Sequence, residues 1–452
     1  MTEHLLGGHL RNPTSAELIE NAASLNSRPS ELRITDMRIA VVTGICYYPL
    51  IRIETNQGLY GLGEIRDGGH PESALQLKHF LLGQNPCNVD MIFNVMRRFG
   101  GHGREGGGVS GIEIALWDLV GKAYGVPCHQ FFGGRYRDRV RIYSDTPAPT
   151  EMTPDAYAKA VKARADMGFD FIKFDLPPRL FEATADGLMG SPTRHEYELA
   201  KAVRVPGSGP GARISEKGIE AAVETVRAVR AEVGSDVSLC VDHFGEGYVT
   251  ADEAIRIGRA LEPFNLAWVE DPVSWSDIAG HKKVADALLT PVAGGEDLYL
   301  WDGFREAIET RAFDILHPDL LTSGGMLETK RIADYGNRYG LPTALHSCCS
   351  PIGFMANVHC AASIQNLMAV EHHGLDVPFW GDLVTGLADD YLTDGYVEVP
   401  TAPGLGLDLN LDVVEANLRE PNTLFQSTEA WSKRKIGFER VDPPRYQTQL
   451  VR

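Results

Sequence analysis

The sequence predicts an α/β fold, in which a closed β/α barrel follows a smaller α+β domain. From residue 139 onward, eight short apolar runs alternate with segments of helical periodicity. The runs are too short for helices, and their near-continuous apolar character is typical of buried parallel strands. Strong glycine fingerprints of an open dinucleotide-binding sheet are missing. We therefore expect a sheet of eight parallel strands that closes on itself.

Length, charge and cysteine content restrict the class of protein. The 452 residues exceed an ordinary single domain, so two domains are expected. The formal net charge of -18 argues against binding to nucleic acid or to an anionic membrane, because the long-range field repels polyanions. Seven cysteines, an odd number without CxxC spacing, predict no disulfide framework and a reducing compartment. With no recognisable signal or membrane span, a cytoplasmic protein is expected.

The first domain is predicted over residues 32–138, after a polar N-terminal extension at 1–31. Three strand-like segments predict an antiparallel meander, at 34–43, 48–54 and 59–63. Helical segments follow at 71–82, 89–98 and 110–124. This mixture of strands and helices predicts the α+β domain.

A glycine-dense segment at 100–108 precedes the last of these helices and carries His102 and Arg104. It follows no clear strand and lacks the Lys-Ser/Thr pair of a P-loop, so a phosphate cradle is disfavoured. We expect a mobile, solvated loop. The alternative is that His102 and Arg104 reach a substrate from the first domain.

The barrel is predicted over residues 139–373. Its strands are expected at 141–144, 171–175, 238–242, 267–270, 292–296, 314–317, 343–346 and 368–371. The insertion at 176–214 is far longer than an ordinary connection and follows the second strand, on the face where barrel chemistry occurs. It either closes over a substrate or extends toward a neighbouring subunit. The segment 374–452 is expected to pack against the first domain.

Acidic residues end the third, fourth and fifth predicted strands, at Asp242, Glu270 and Glu296. Parallel strands bring these ends to one edge, where three carboxylates repel each other unless a cation lies among them. An all-oxygen set without Cys or His suits Mg²⁺ better than zinc. We predict a magnesium site; the alternative is three unrelated acids that cap the following helices.

A candidate base lies at the same edge. His346 ends the seventh predicted strand, and Asp319 follows the sixth, so both side chains are expected at the barrel mouth. An Asp–His pair holds the imidazole in one tautomer and raises its basicity. On the second strand, alternation places Lys173 and Asp175 on the same face, toward the barrel interior.

Several segments in this order and spacing resemble the enolase superfamily, in its mandelate racemase and acid-sugar dehydratase branch. They are Gly108-Val-Ser-Gly-Ile-Glu-Ile-Ala-Leu-Trp-Asp118, Trp268-Val-Glu-Asp-Pro272, His317-Pro-Asp319, Ser323-Gly-Gly325 and Ala402-Pro-Gly-Leu-Gly406. The resemblance implies a modified (β/α)7β TIM-type barrel and an α+β capping domain that includes the C-terminal tail. It also implies Mg²⁺ at the three acids, proton abstraction beside a substrate carboxylate, a hydrogen bond between Glu371 and the substrate, and a homo-oligomer.

One position departs from the family pattern. The family often has Lys-x-Lys, in which the first lysine assists the substrate carboxylate and the second is a base, whereas this chain has Lys173-Phe-Asp175. Asp175 is ordinarily too weak a base, so it either orients Lys173 or has another part in catalysis. His243, directly after Asp242, is expected to be a packing residue.

The missing lysine favours dehydration. Racemisation needs competent groups on both faces of the enediolate, whereas syn elimination needs only one residue, His346, as base and then acid. We therefore expect a Mg²⁺-dependent dehydratase that converts a small acid sugar to a 2-keto-3-deoxy acid. The alternatives are a racemase, epimerase or cycloisomerase using the same enediolate and, in another class, a non-catalytic metal-binding barrel.

Overall fold

The computed structural model describes residues 27–189, 213–242 and 249–434. Residues 1–26 of the predicted extension at 1–31, most of the insertion at 176–214, and His243 lie outside these ranges. The first domain contains a three-stranded antiparallel sheet, as predicted, formed by β1 (Ile34–Thr43), β2 (Tyr47–Thr55) and β3 (Tyr60–Glu64). Its helices are α1 (Glu72–Leu75), α2 (Lys78–Leu81), α3 (Val89–Met96) and α4 (Gly107–Tyr124).

Helix α4 begins at Gly107, inside the segment predicted to be a solvated loop. The reason is the close approach of the chain that follows β3. A Cβ at Gly107 would lie 2.7 Å from the backbone nitrogen of Arg66, and one at Gly108 would lie 2.3 Å from the backbone carbon of Ser73. The glycines therefore allow the helix to start against its neighbours.

Eight parallel strands close into the predicted barrel, in chain order, with the last strand paired to the first. They are β4 (Arg139–Ser144), β5 (Phe171–Asp175), β8 (Ser238–Asp242), β9 (Trp268–Glu270), β10 (Val292–Gly294), β11 (Ile315–Leu316), β12 (Thr343–Leu345) and β13 (Leu367–His372). The hairpin of β6 (Leu188–Met189) and β7 (Arg213–Ile214) flanks the undescribed part of the insertion.

Helices connect the barrel strands. They are α5 (Pro154–Asp166), α6 (Pro178–Ala183), α7 (Glu216–Val233), α8 (Ala251–Leu261), α9 (Ile278–Ala287), α10 (Leu300–Thr310), α11 (Leu320–Ser323), α12 (Met326–Arg338) and α13 (Pro351–Ser363). No described helix combines the length and apolar character that crossing a bilayer requires.

Two buried acids of the first domain bind the N-termini of barrel helices. Glu64 accepts hydrogen bonds from the backbone nitrogens of Ser350 and Gly353, at the start of α13. Glu113 accepts from the backbone nitrogens of Met326 and Leu327, at the start of α12. These bonds satisfy donors that a helix start leaves without partners. They also fix the first domain over the carboxyl ends of the barrel strands.

The segment after the barrel forms short strands and helices. They are β14 (Val384–Thr385), β15 (Leu392–Thr393), β16 (Tyr396–Glu398), β17 (Asp408–Leu409), α14 (Leu411–Ala416) and α15 (Glu429–Ser432). The backbone nitrogen of Arg419 donates to Val41 at 2.8 Å, and the Thr428 hydroxyl donates to the Met37 carbonyl at 2.5 Å. The tail thus contacts β1, while the domain boundaries at 31/32, 138/139 and 373/374 stay predictions.

Candidate active site

The barrel interior contains an apolar layer with one side chain from each strand. Its members are Tyr143, Phe171, Cys240, Trp268, Ala293, Ile315, Ala344 and Ala369. Because side chains alternate along a strand, the residue two positions later points the same way, nearer the carboxyl end. On seven strands that residue is polar: Asp145, Lys173, Asp242, Glu270, His317, His346 and Glu371. A buried polar layer therefore lies on the apolar one, at the catalytic face of such barrels.

The fifth barrel strand is the exception, because two positions after Ala293 lies Gly295. Its φ is +122°, and a Cβ there would lie 2.7 Å from Cε1 of Phe304. Side chains are disfavoured in this conformation, which turns the chain so that Glu296 faces the site. Its carboxylate lies 3.1 Å from His346 Nε2 and 3.1 Å from an Arg66 guanidinium nitrogen.

Lys173 lies at the centre of the acidic residues. Its Nζ is 3.0 Å from Asp242, 3.0 Å from Glu270 and 2.7 Å from Glu371. Burial alone would lower the pKa of this lysine, but the three carboxylates raise it well above its ordinary value. Lys173 therefore carries a fixed positive charge in a buried position.

Glu270 and Glu296 are held ionised by their surroundings. Burial raises the pKa of Glu270, but His317 at 3.2 Å and Lys173 together lower it by more, so the pKa lies below its ordinary value. Burial likewise raises the pKa of Glu296, and His346, Arg66 and Lys173 together hold it well below the ordinary value. Anionic carboxylates of this kind are the form that binds a cation.

The three predicted metal ligands fit Mg²⁺ by their chemistry. Asp242 and Glu270 share Lys173, and Glu296 lies close enough for Lys173 to lower its pKa. Carboxylate oxygens can accept from these donors and still have lone pairs for a hard cation. Among the described residues, two other groups have one ligand-type atom per residue, all within 4.8 Å of one another. They are His346/Glu371/His373 and Cys46/Asp67/Cys348, and neither contains these three acids.

His346 and Asp319 lie together as the predicted pair. His346 Nδ1 is 2.6 Å from Asp319 Oδ2, and Asp319 Oδ1 accepts from the backbone nitrogen of Leu321. The carboxylate is thereby fixed at the start of α11, where it accepts the hydrogen bond that Nδ1–H of His346 donates. Nε2 of His346 faces two other acids of the site, at 3.1 Å from Glu296 and 3.6 Å from Glu371.

Glu371 lies between the two groups that could act on a substrate. Its Oε1 is 2.7 Å from Lys173 Nζ, and its Oε2 is 3.6 Å from His346 Nε2. His373 Nε2 lies 3.1 Å from Oε1, and His373 Nδ1 lies 3.3 Å from Asp145. Burial lowers the pKa of His373, but Asp145 and Glu371 raise it well above the ordinary value. A local sequence pattern does not distinguish this histidine from its neighbour, His372.

His372 points away from the site. Its Nε2 lies 2.7 Å from the Tyr391 hydroxyl, its ring packs against Phe354 and Trp380, and burial lowers its pKa to about 3.

Asp175 is half-buried at the end of β5, paired in register with Asp242, and its role stays a prediction.

Arg66 is a buried residue of the site that the sequence analysis missed. Its guanidinium lies 2.6 Å from Asp67, 3.1 Å from Glu296 and 3.3 Å from Asp319. Arg66 belongs to the first domain, whereas two of these carboxylates belong to the barrel. No local pattern predicts a contact between residues 230 positions apart.

The glycine-rich segment also contacts the barrel. Arg104 lies 3.0 Å from Asp67 and 3.4 Å from Asp297, and His102 stacks on Trp275 and accepts from the backbone nitrogen of Tyr299. This is a partial departure from the expected solvated loop, because His102 and Glu105 remain exposed. Its physical cause is the cluster of acids at the barrel mouth, which attracts the Arg104 cation.

Both parts of the chain match known protein families. Residues 24–133 match the mandelate racemase / muconate lactonizing enzyme N-terminal domain. Residues 156–413 match the enolase C-terminal domain-like family. The two matches together take in the antiparallel sheet of the first domain and nearly the whole barrel.

Individual relatives cover most of the chain. It is 37% identical to a D-xylonate dehydratase of Haloferax volcanii, over 87% of this chain and 91% of the relative. It is 30% identical to a D-galactonate dehydratase of Ralstonia nicotianae, over 80% and 88% of the two chains. The crystal structure of a mandelate racemase/muconate lactonizing enzyme-like protein from Rubrobacter xylanophilus superposes with a TM-score of 0.76 at 30% identity, covering 87% of this chain and 99% of the other.

Proposed function

Because the chain belongs to the enolase superfamily, in its mandelate racemase and muconate lactonizing enzyme branch, we propose that it is a hydro-lyase that dehydrates acid sugars. The product is a 2-keto-3-deoxy acid. The observation that carries the proposal is the placement of the His346–Asp319 pair and Lys173 on two sides of Glu371. The names of the D-xylonate and D-galactonate dehydratase relatives support the substrate class.

His346 is the proposed base. A proton beside a carboxylate is weakly acidic, because its removal leaves an enediolate with two negative charges on one group. Asp319 accepts a hydrogen bond from the Nδ1–H group of His346, so Nε2 is the atom that accepts the substrate proton. Asp319 then stabilises the imidazolium that forms.

Lys173 and the three acids stabilise the developing charge. The Lys173 ammonium is fixed by Asp242, Glu270 and Glu371, so it offsets negative charge without reorganisation. Asp242, Glu270 and Glu296 would hold Mg²⁺. When bound, this ion supplies positive charge to the substrate carboxylate. Glu371 accepts a hydrogen bond from a substrate hydroxyl.

The protonated His346 completes the reaction by donating its Nε2 proton to the departing β-hydroxyl, which leaves as water. The enol that remains becomes the keto acid. A racemase or epimerase would need a second base on the opposite face, where this chain has Asp175 in place of the family's lysine. A non-catalytic metal-binding barrel would have no use for a positioned Asp–His pair.

A screen of mono- and diacid sugars tests the proposal, with D-xylonate as the first compound. The chelator-treated protein, the same protein with Mg²⁺ restored, and the His346→Asn variant with Mg²⁺ are each assayed for a semicarbazide-reactive keto acid. Product is expected only from the Mg²⁺-restored wild type. Equal product from His346→Asn would contradict the assigned base, and equal product after chelation would contradict the metal.

Two further expectations belong to this proposal. Even-numbered homo-oligomers are common among soluble enzymes, and sedimentation of the full chain tests for one here. A cytoplasmic location, expected from cysteine usage, is tested by fractionation of the source cells.

A further inference from the structure

Two cysteines and an acid meet beside the proposed active site, although they are far apart in the sequence. Cys46 belongs to the turn between β1 and β2, Asp67 follows β3, and Cys348 follows β12. One ligand-type atom of each lies within 4.8 Å of the other two. Asp67 and Cys348 are buried, and Cys46 is half-buried. The proposed mechanism uses none of the three.

The spacing of the sulfurs fits a metal site. The Sγ atoms of Cys46 and Cys348 are 3.7 Å apart, well beyond the 2.05 Å of a disulfide bond. Two thiolates bound to one tetrahedral Zn²⁺ at about 2.3 Å have their sulfurs about 3.8 Å apart. The two side chains therefore already have the separation that zinc requires.

The chemistry of this cluster differs from that of the three strand-end acids. Thiolates are soft ligands that select zinc-like cations, whereas an all-carboxylate set suits Mg²⁺. Arg66 and Arg104 contact Asp67 and would offset the negative charge of two thiolates and a carboxylate. We propose that Cys46, Cys348 and Asp67 form a second metal site, which takes a thiophilic divalent cation such as Zn²⁺ with water as the fourth ligand.

An ion at this site would connect the first domain to the barrel at the catalytic face. Cys348 lies two residues after His346, and Asp67 is bonded to Arg66, which contacts Asp319. Zinc bound to Cys348 and Asp67 would shift the chain beside His346 and the Arg66 side chain that contacts Asp319. It would also hold the β1–β2 turn against the barrel. We therefore expect zinc to inhibit the Mg²⁺-loaded enzyme; this part rests on the proposed dehydratase function.

Cobalt binding tests the site without any assay of activity. The full-length protein, saturated with Mg²⁺ and kept reduced by a phosphine, is titrated with Co²⁺ and then with Zn²⁺. One equivalent of Co²⁺ per chain is expected to give a thiolate-to-cobalt charge-transfer band, which Zn²⁺ removes. Cys46→Ser and Cys348→Ser should lose the band, and Cys87→Ser, a half-buried cysteine of the first domain, should keep it. A wild type without the band, or a band that persists in Cys46→Ser, overturns the proposal.

Inhibition provides the second readout. Zinc should inhibit the wild type and Cys87→Ser at the same concentration. Loss of a group that hydrogen-bonds to a metal ligand lowers metal affinity by up to ~100-fold. Because Cys46 would itself be a ligand, Cys46→Ser should need a zinc concentration raised by more than this factor. Equal inhibition of all three proteins places the inhibitory zinc at the strand-end acids and contradicts the regulatory part. If no acid sugar is dehydrated but the cobalt band forms, the proposed function fails and the metal site stands.

Discussion

Arg66 is the residue of the first domain that contacts both a proposed metal ligand, Glu296, and the proposed catalytic pair, through Asp319. It is fully buried and contacts the buried Asp67 and Asp319 and the half-buried Glu296, so removing it takes away a positive charge that these three carboxylates share. Arg66→Met is expected to lower the free energy of unfolding by about 3–5 kcal/mol. Urea unfolding followed by tryptophan fluorescence measures this change.

Arg104→Met is the matched control, because Arg104 contacts Asp67 too but its side chain is 37% exposed. Solvent screens such a pair, so a loss of about 0–1 kcal/mol is expected. Equal losses in the two variants would show that Arg66 is not the principal counter-charge of the buried acids.

Asp319→Asn separates orientation of the base from folding. Asparagine keeps the cap that Asp319 provides to the Leu321 backbone nitrogen, but its uncharged amide no longer offers an ionised acceptor to the Nδ1–H group of His346. We expect kcat/KM to fall by about 10²–10⁴, with the fold retained, because Arg66 keeps Asp67 and Glu296 as partners. Steady-state kinetics and calorimetry measure both; wild-type kcat/KM in this variant would remove Asp319 from the mechanism.

At the residue scale, the sequence predicted the strand-end residues because alternation on a strand is a local rule. Lys173, Asp242, Glu270, His346 and Glu371 all lie in the buried polar layer. Arg66 was not identified and His373 was not distinguished from His372, since the contacts of Arg66 cross the domain boundary and those of His373 lie beyond the end of a strand.

At the scale of elements, Glu113 connects α4 of the first domain to the N-terminus of α12. Burial raises its pKa to about 8 from an ordinary value of 4.5, although its hydrogen bonds from Leu327, Met326 and Trp117 lower it. Between these values the folded protein keeps the proton and the unfolded chain does not. The contribution of Glu113 to stability is therefore greatest below about pH 4.5 and falls as pH rises toward 8.

Glu113→Gln cannot titrate, which gives a signed prediction. The wild-type thermal midpoint minus that of the variant should be larger at pH 5.5 than at pH 8.5. Calorimetry at both pH values tests this, with the exposed Glu72→Gln as a control for the loss of one charge. A difference that grows with pH would mean that the helix N-terminus, not burial, sets the ionisation of Glu113.

The elements themselves were predictable to different degrees. The eight barrel strands were placed within a few residues, because buried parallel strands are marked by continuous apolar runs. The predicted helix at 71–82 is instead two short helices, and α4 begins within the glycine run. The start of α4 depends on backbone packing against residues 66 and 73, which no local pattern contains.

At the scale of the molecule, the closed barrel was predicted from the order of elements and the capping domain from the family resemblance, and the comparisons confirm that architecture. What the sequence could not predict is how the two parts meet. Glu64, Arg66 and Glu113 of the first domain all bind barrel residues, and their partners lie more than 200 positions away. The site is thus a product of both domains, although its predicted ligands come from the barrel alone.

The dehydration of an acid sugar in D₂O tests the central claim most directly. Wild-type protein with Mg²⁺ is expected to form a keto acid that carries deuterium at C3. This carbon loses the hydroxyl group and takes up a deuteron from the solvent when the enol becomes the keto acid. His346→Asn is expected to form neither keto acid nor deuterated substrate. Deuterium at the α-carbon of recovered substrate, with no keto acid from any acid sugar, would contradict dehydration and identify a racemase or epimerase instead.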